Sequence, residues 1–390
     1  MPQTRAYLDH NATTPLRPAA REAMLAALSA CGNASSIHAE GRAARARIEA
    51  AREDIAAFVG TTPKNVTFTS GATEALNLVL TPNLQIGGNA APFEVLLIAG
   101  GEHACVLSGH RFPSEAVEIL PLRPDGLLDL AALDAALARH AGRRIMLALQ
   151  AANNETGVVQ PVAAAAERVH AASGVVICDA VQAAGRIICD FAGLGVDALA
   201  ISAHKLGGPQ GAGALCFGSG KHHIKDTMLR GGGQERGLRA GTENVAAIAG
   251  FAAAASAAQA EAEAEQVRLG GLREQLEGGI LRMAPDAVFF GARAPRLANT
   301  SNFAVPGIEA QVLLMSLDLE GVAVSTGSAC SSGKVKRSHV LEAMGVSLAL
   351  AQAAIRVSLG WSTRMEDMAL FGRAFEKAVH TVKARHKPAA

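Results

Sequence analysis

Between residues 42 and 59 the apolar positions Ala44, Ile48, Ala51, Ile55 and Phe58 recur at helical spacing, and Gly60 follows them. That pattern predicts an amphipathic helix stopped by glycine. Short apolar runs come next, at 66–68, 95–98, 117–120, 145–149, 175–178, 198–201 and 214–217. They have the length of buried strands, and alanine-rich helical stretches such as 162–172 separate several of them. Alternation of strand and helix predicts an α/β fold, a mostly parallel seven-stranded sheet covered on both faces. Residues 252–269 are rich in Ala and Glu with almost no breakers, which predicts a long helix joining two units. Beyond it, runs at 288–290, 301–305, 322–325 and 355–358 predict strands, with helices at 309–319 and 366–383. The expected division is a large domain over 15–255 and a smaller α+β domain made of 1–14 and 256–390.

Composition narrows the class. The 390 residues carry 36 Lys and Arg against 35 Asp and Glu, so no polyanionic partner is implied and no direct nucleic-acid binding is expected. Cys31, Cys105, Cys178, Cys189, Cys216 and Cys330 form no CxxC pair. In a chain of this length they read as reduced thiols, which points to the cytoplasm. No metal site is expected. Met1 leads into Pro2, Gln3 and Thr4 without a basic start and apolar core, and no apolar run approaches the roughly 20 residues of a membrane span.

The ends of the predicted strands carry the chemistry. Ligands of open parallel sheets bind beyond the carboxyl ends of the strands. Here five such ends run into Ser70-Gly71-Ala72-Thr73-Glu74, Glu102-His103, Asn153-Asn154-Glu155, Asp179 with Gln182, and Ser202-Ala203-His204-Lys205. Taken singly, each has a plainer explanation. Thr73 and Glu74 fit an ordinary helix start, Asp179 a cap, His103 a core histidine and Lys205 a surface lysine. Taken together, they converge on one polar site. Gly71 with Thr73 at a helix start suits a phosphate. A lysine at a sheet edge loses solvation and becomes a usable amine for a Schiff base. A carboxylate such as Asp179 can pair with a protonated ring nitrogen. The stretch from Gly327 to Lys334 is not a nucleotide loop, because its spacing is wrong and Val335 stands where Ser or Thr is needed.

The string Ser202-Ala203-His204-Lys205-Leu206-Gly207-Gly208-Pro209-Gln210-Gly211 resembles the cofactor-lysine motif of cysteine desulfurases, pyridoxal-phosphate enzymes with the aspartate-aminotransferase-like fold (fold type I). The likeness extends over nearly the whole chain. It runs through Tyr7–Pro15, Gly32–His38, Thr69–Glu74, Glu102-His103, Asn153–Gly157, Asp179–Gln182, Gly231–Glu235, Arg239–Asn244, Ser328-Ala329-Cys330 and Ile355–Ser358.

The resemblance implies a role for each matching residue. Lys205 would carry pyridoxal 5'-phosphate as a Schiff base and later move the substrate's Cα proton. Ala72, Thr73, Ser202 and His204 would hold the phosphate. Asp179 would face the ring nitrogen, Gln182 the ring hydroxyl, and His103 would stack on the ring and move protons. Asn33 and Arg356 would bind the substrate, L-cysteine, where a planar guanidinium suits a carboxylate, and Asn154 would lie beside both cofactor and substrate. The loop 325–334 resembles that of the group with a long, mobile catalytic segment. There Cys330 would take the sulfur as a persulfide, leaving alanine. Arg239-Ala240-Gly241-Thr242 resembles the segment by which one subunit reaches its partner's phosphate, so a homodimer with Thr242 in the neighbouring site is expected. The sulfur acceptor is expected to be a protein such as an iron–sulfur scaffold; nitrogenase maturation and tRNA thiolation are the alternatives. Lys336-Arg337 makes the region after the loop unusually basic, and Cys105 beside His103 is unusual. An aminotransferase, a selenocysteine lyase or a cofactor-free scaffold protein would be the competing readings.

Overall fold

The computed structural model describes residues 5–326 and 337–385. Its centre is a seven-stranded sheet. From edge to edge the strands are Val66–Thr69, Gly213–Phe217, Ala198–Ser202, Val175–Asp179, Ile145–Gln150, Val95–Ala99 and Val117–Leu120. All run parallel except Gly213–Phe217, which is antiparallel to both its neighbours. Most are buried along their whole length, which is why they appear in the sequence as continuous apolar runs and not as alternating ones.

Each face of the sheet has its own apolar core. One packs Ile48, Ile55 and Val59 of the helix Ala39–Val59 with Leu97, Leu147, Leu199 and Phe251. The other packs Leu76 and Val79 of the helix Ala72–Val79 with Ile98, Met146, Ile177 and Phe217. A fully buried side chain of this size contributes roughly 1.5–3 kcal/mol. The helix Ala39–Val59 starts three residues earlier than its apolar stripe suggests, because His38 accepts a hydrogen bond from Gly41 N, and it ends at Gly60 in the left-handed conformation (φ 71°).

The expected helix over 252–269 is part of a much longer one, Val245–Met283, of 39 residues. Gly270 and Gly271 read as a stop, since glycine is a poor helix former. The helix continues through them because Leu269, Leu272, Leu276 and Ile280 dock into another core, with Leu8, Phe303, Leu317, Ile355, Phe371 and Phe375. Its first half, including Phe251, Ala254, Ala255 and Ala258, packs on the sheet core. By length and composition this helix could cross a membrane, but its apolar residues are divided between two protein cores.

The third core covers the antiparallel sheet Val288–Phe289, Thr300–Ala304, Ala354–Ser358. The expected strand over 322–325 is shorter and sits elsewhere. Val322–Ala323 pairs in parallel with Ala6–Tyr7, and only an isolated bridge joins Ser325 to Arg356. The amino-terminal segment is thus tied to the carboxyl-terminal third of the chain, and Asp9 and Asn11 are carried to the edge of the large sheet.

Candidate active site

A cavity of about 890 Å³ opens at the carboxyl ends of the parallel strands. Ala72, Thr73, His103, Asn154, Asp179, Gln182, Ser202, His204, Lys205 and Arg356 all line it. Thr242 and Asn33 do not. Thr242 is exposed, next to Arg239, whose guanidinium meets Glu74 at 3.1 Å. Asn33 sits in an exposed turn, where its side chain accepts from Ser35 N at 2.8 Å. Cys330 lies outside the described residues.

The turn after the edge strand Val66–Thr69 begins the helix Ala72–Val79, so the backbone N–H groups of Ala72 and Thr73 have no carbonyl four residues back to bond. Gly213 lets this turn close onto the sheet, because a Cβ there would lie 2.6 Å from Gly71 Cα. Glu74 accepts from both Ser70 N (2.8 Å) and Ser70 Oγ (2.5 Å), fixing the turn. Ser202, at the end of its strand, is buried beside it. His204 bonds Thr13 Oγ1 at 3.2 Å, and burial, followed by the charge of Lys205, lowers its pKa to about 4. It is therefore a neutral ring that can share one proton with an anion.

Lys205 Nζ donates to the carbonyls of Asn11 and, at 2.7 Å, of Ala12. Burial, then Arg186 and Arg356, lower its pKa to about 7, against the pull of Asp9 and Asp179. Near neutral pH a large fraction is thus the free amine a Schiff base needs. Asp179 closes the floor of the cavity. Burial pushes its carboxyl up, while the N–H of Val181 (3.0 Å) and the charges of His103 and Lys205 favour the anion. His103 caps the short helix Ala104–Leu107, and its Nδ1 accepts from Cys105 N at 3.1 Å with Cys105 Sγ at 3.0 Å. The neutral ring therefore carries its proton on Nε2. Partial burial in the wall, then Lys205 and His339, hold its pKa below the usual range, with Asp179 opposing.

Arg356 forms the opposite wall. Its Nη2 meets Asp9 Oδ1 at 2.7 Å, its Nη1 donates to Asn154 O at 3.0 Å, and its Nε has no hydrogen-bond partner among the described residues. Several neighbours carried no assigned role in the sequence. Asn11 joins Asn154 O, Thr300 Oγ1 and Gln182. Glu102 is fully buried, its Oε1 accepting from Gln150 N at 2.6 Å and its Oε2 without a hydrogen-bond partner among the described residues; burial and then Asp179 push it well above the usual carboxylate range. His339 lines the cavity and bonds Glu102 O at 2.8 Å, while Ser338 Oγ donates to Glu155 Oε2 at 2.5 Å. Exposed Arg337, of the basic pair, lines the cavity and pairs with Glu342 at 3.0 Å. The signal for Asp9 and Asn11 was their motif, Tyr7–Pro15; contacts with residues 143 to 347 positions away leave no local trace.

These residues fit pyridoxal 5'-phosphate. A helix start with free N–H groups suits its phosphate, an acid at the floor suits its ring nitrogen, and an amine titrating near 7 suits its aldehyde. Residues 6–371 match the Aminotransferase class-V family. With the fold, this makes the chain a fold-type I enzyme of the pyridoxal-phosphate class. It is 40% identical over 369 residues to an IscS-like cysteine desulfurase of Mycobacterium tuberculosis, covering 93% of both chains. It is 41% identical over 376 residues to a cysteine desulfurase of Cereibacter sphaeroides, covering 93% of this chain and 92% of that one. A NifS-like protein from Rickettsia africae superposes with a TM-score of 0.87 at 33% identity, covering 97% and 100% of the two chains. The chain belongs to the cysteine desulfurase family, in its NifS/IscS-like branch.

Proposed function

We propose that this protein converts L-cysteine to L-alanine and passes the sulfur, as a persulfide on Cys330, to a protein acceptor for iron–sulfur cluster assembly. The observation that carries the reading is the meeting in one cavity of a near-neutral amine, a floor carboxylate and a guanidinium wall (Lys205, Asp179 and Arg356). Bound pyridoxal 5'-phosphate supplies the electron sink for cleavage at the substrate's β-carbon. Around it the chain's residues divide the work.

Ala72, Thr73, Ser202 and His204 would hold the phosphate, Asp179 would keep the ring nitrogen protonated, and Gln182 would bond the ring hydroxyl. Lys205 would hold the cofactor, and its amine, with a pKa lowered to about 7, would take the substrate's Cα proton. Arg356, already oriented by Asp9, would hold the substrate carboxylate, with Asn154 beside it; Asn33 lies outside the cavity, in its exposed turn. His103, which lines the cavity, would exchange its Nε2 proton with the substrate thiol. Cys330, as thiolate, attacks the substrate sulfur; the S–Cβ bond breaks and the sulfur stays on Cys330.

The protein works as a cytoplasmic homodimer. Exposed Thr242 serves the second copy's phosphate site, and exposed Leu25, Leu28 and Ile37, flanking the Asn33 turn in sequence, are apolar surface for the contact. We assign 15–255 to the cofactor-binding domain and 1–14 with 256–390 to the smaller domain, a division that the separate core around Leu269, Phe303 and Phe375 supports.

Two measurements test this. The purified protein should show a visible absorption band that borohydride abolishes, leaving the cofactor on Lys205. With L-cysteine and a reductant it should release alanine and sulfide in equal amounts. Formation of a keto acid instead would make it an aminotransferase.

A further inference from the structure

Behind Gln182 lies a cation that the reaction described above does not use. Arg186 follows a turn that closes from Ala183 O to its own N–H at 3.0 Å. Its Nη1 donates to Gln182 Oε1 at 2.5 Å, Gln182 O at 3.2 Å and Asn11 Oδ1 at 2.9 Å, and its Nη2 to His10 O at 3.4 Å. Every acceptor is neutral, and no carboxylate of the described residues pairs with it. A guanidinium set into the protein without a counter-ion is costly, since its charge keeps neither full hydration nor a partner. Arg186 also lines a small second cavity of about 50 Å³, and Lys205 stands on the wall of both cavities.

We propose that Arg186 is a positioning residue, which fixes the amide of Gln182 and sets the electric field at the Lys205 amine. The inference rests on the function proposed above and deepens it.

The amide argument is a count of donors and acceptors. Gln182 Oε1 is taken by Arg186, and Nε2 donates one hydrogen to Asn11 O at 3.0 Å. One N–H remains for the cavity that Gln182 lines. Flipping the amide would set oxygen against the Asn11 carbonyl and N–H against the guanidinium, losing both bonds. Gln182 is therefore fixed as a donor, which suits the ring oxygen of pyridoxal 5'-phosphate.

The field argument starts from the charges around Lys205. Arg186 and Arg356 oppose its protonation, with Arg186 the stronger, while Asp9 and Asp179 favour it. His103 and His204 also face it, and both have lowered pKa values, so near pH 7 they are largely neutral. Arg356 is paired with Asp9, whereas no carboxylate of the described residues pairs with Arg186.

The test is a titration of Lys205 in the cofactor-free protein. Its lysines are reductively methylated with a ¹³C label, and the Lys205 resonance is assigned by its absence from Lys205→Arg. The parent midpoint should lie near 7. Arg186→Met and Arg186→Gln should both raise it by about one unit or more, and Arg186→Lys should return it toward the parent. After loading with cofactor, Arg186→Gln, which can still donate to Gln182, should keep the parent's visible band; Arg186→Met should shift it. A parent-like midpoint in Arg186→Gln would overturn the proposal, and that variant carries the charge test even if Arg186→Met fails to fold. The titration uses neither cofactor nor cysteine. A failure here would leave the sulfur chemistry standing, and a failure to make alanine would leave this midpoint unaffected.

Discussion

The two walls of the cavity are built in different ways. The floor and cofactor side come from the ends of neighbouring strands of one sheet. Thr73, His103, Asp179 and Lys205 each lie within a few residues of a strand that is buried end to end. The substrate side is assembled from distant segments. Asp9 meets Arg356, Ser338 meets Glu155, and His339 meets the backbone of Glu102, across separations of 347, 183 and 237 residues. A wall of strand ends inherits the rigidity of the sheet. A wall of docked segments exists only while the segments stay docked, so it can be loosened without disturbing the other. On the function proposed here, holding the cofactor and admitting the substrate should be separable.

Substitutions on each side should separate them. Lys205→Ala should remove covalent cofactor retention entirely while the fold persists. A borohydride-stable lysine adduct found in that variant would show that the amine lies elsewhere. Arg356→Ala should leave the cofactor's visible band in place but weaken cysteine use by about 10²-fold in kcat/KM, the loss of charged hydrogen bonds worth about 3 kcal/mol. An equal loss of cofactor would mean that the two walls are not independent.

Ser338→Ala strips Glu155 Oε2 of its donor and the helix His339–Ala343 of its cap. It should cost about 1–2 kcal/mol, read as a lower midpoint in denaturant, with cofactor retention unchanged. Acid is a further probe. His10 is buried, bonding Thr14 Oγ1 at 3.2 Å and Thr363 Oγ1 at 3.4 Å, and lies so close to Gly360 that a Cβ there would sit 2.0 Å from its Nδ1. Burial, then Arg186 and Arg268, lower its pKa to about 3. Below 6.5 the unfolded chain takes up a proton that the folded one refuses, so stability present above that pH should drain away between 6.5 and about 3. Replacing His10 with Gln should flatten that limb; an unchanged acid profile would place the sensitivity in other groups.

The same contrast governs what could be read from the sequence. Most of the seven strands are visible because strands buried on both sides leave continuous apolar runs, and the polar ends of five of them mark one site directly; the edge strand Val117–Leu120 is only partly buried. Motif resemblance singled out Arg356, but its setting against Asp9 and Asn154 comes from pairing of the chain's two ends, which no local pattern encodes. The helix Val245–Met283 ran past its predicted end because tertiary burial of Leu272 and Ile280 outweighs the weak propensity of Gly270-Gly271. Arg186 gave no signal at all, since a lone arginine in a turn reads as surface. Glu102 was noticed only as half of Glu102-His103; the burial that makes it an unusually weak acid exists only in the fold.

The central claim is that a cofactor-side lysine and a separate cysteine act in sequence on one substrate. It is tested most directly by stoichiometry on the loaded protein, without reductant, in a single turnover with L-cysteine. One alanine should appear per active site, with one added sulfur atom located by mass spectrometry on Cys330. Cys330→Ser should still show the spectral change on binding cysteine, yet gain no sulfur and lose alanine release at the parent rate. Sulfur found instead on Cys105, or alanine formed at the parent rate by Cys330→Ser, would contradict the account.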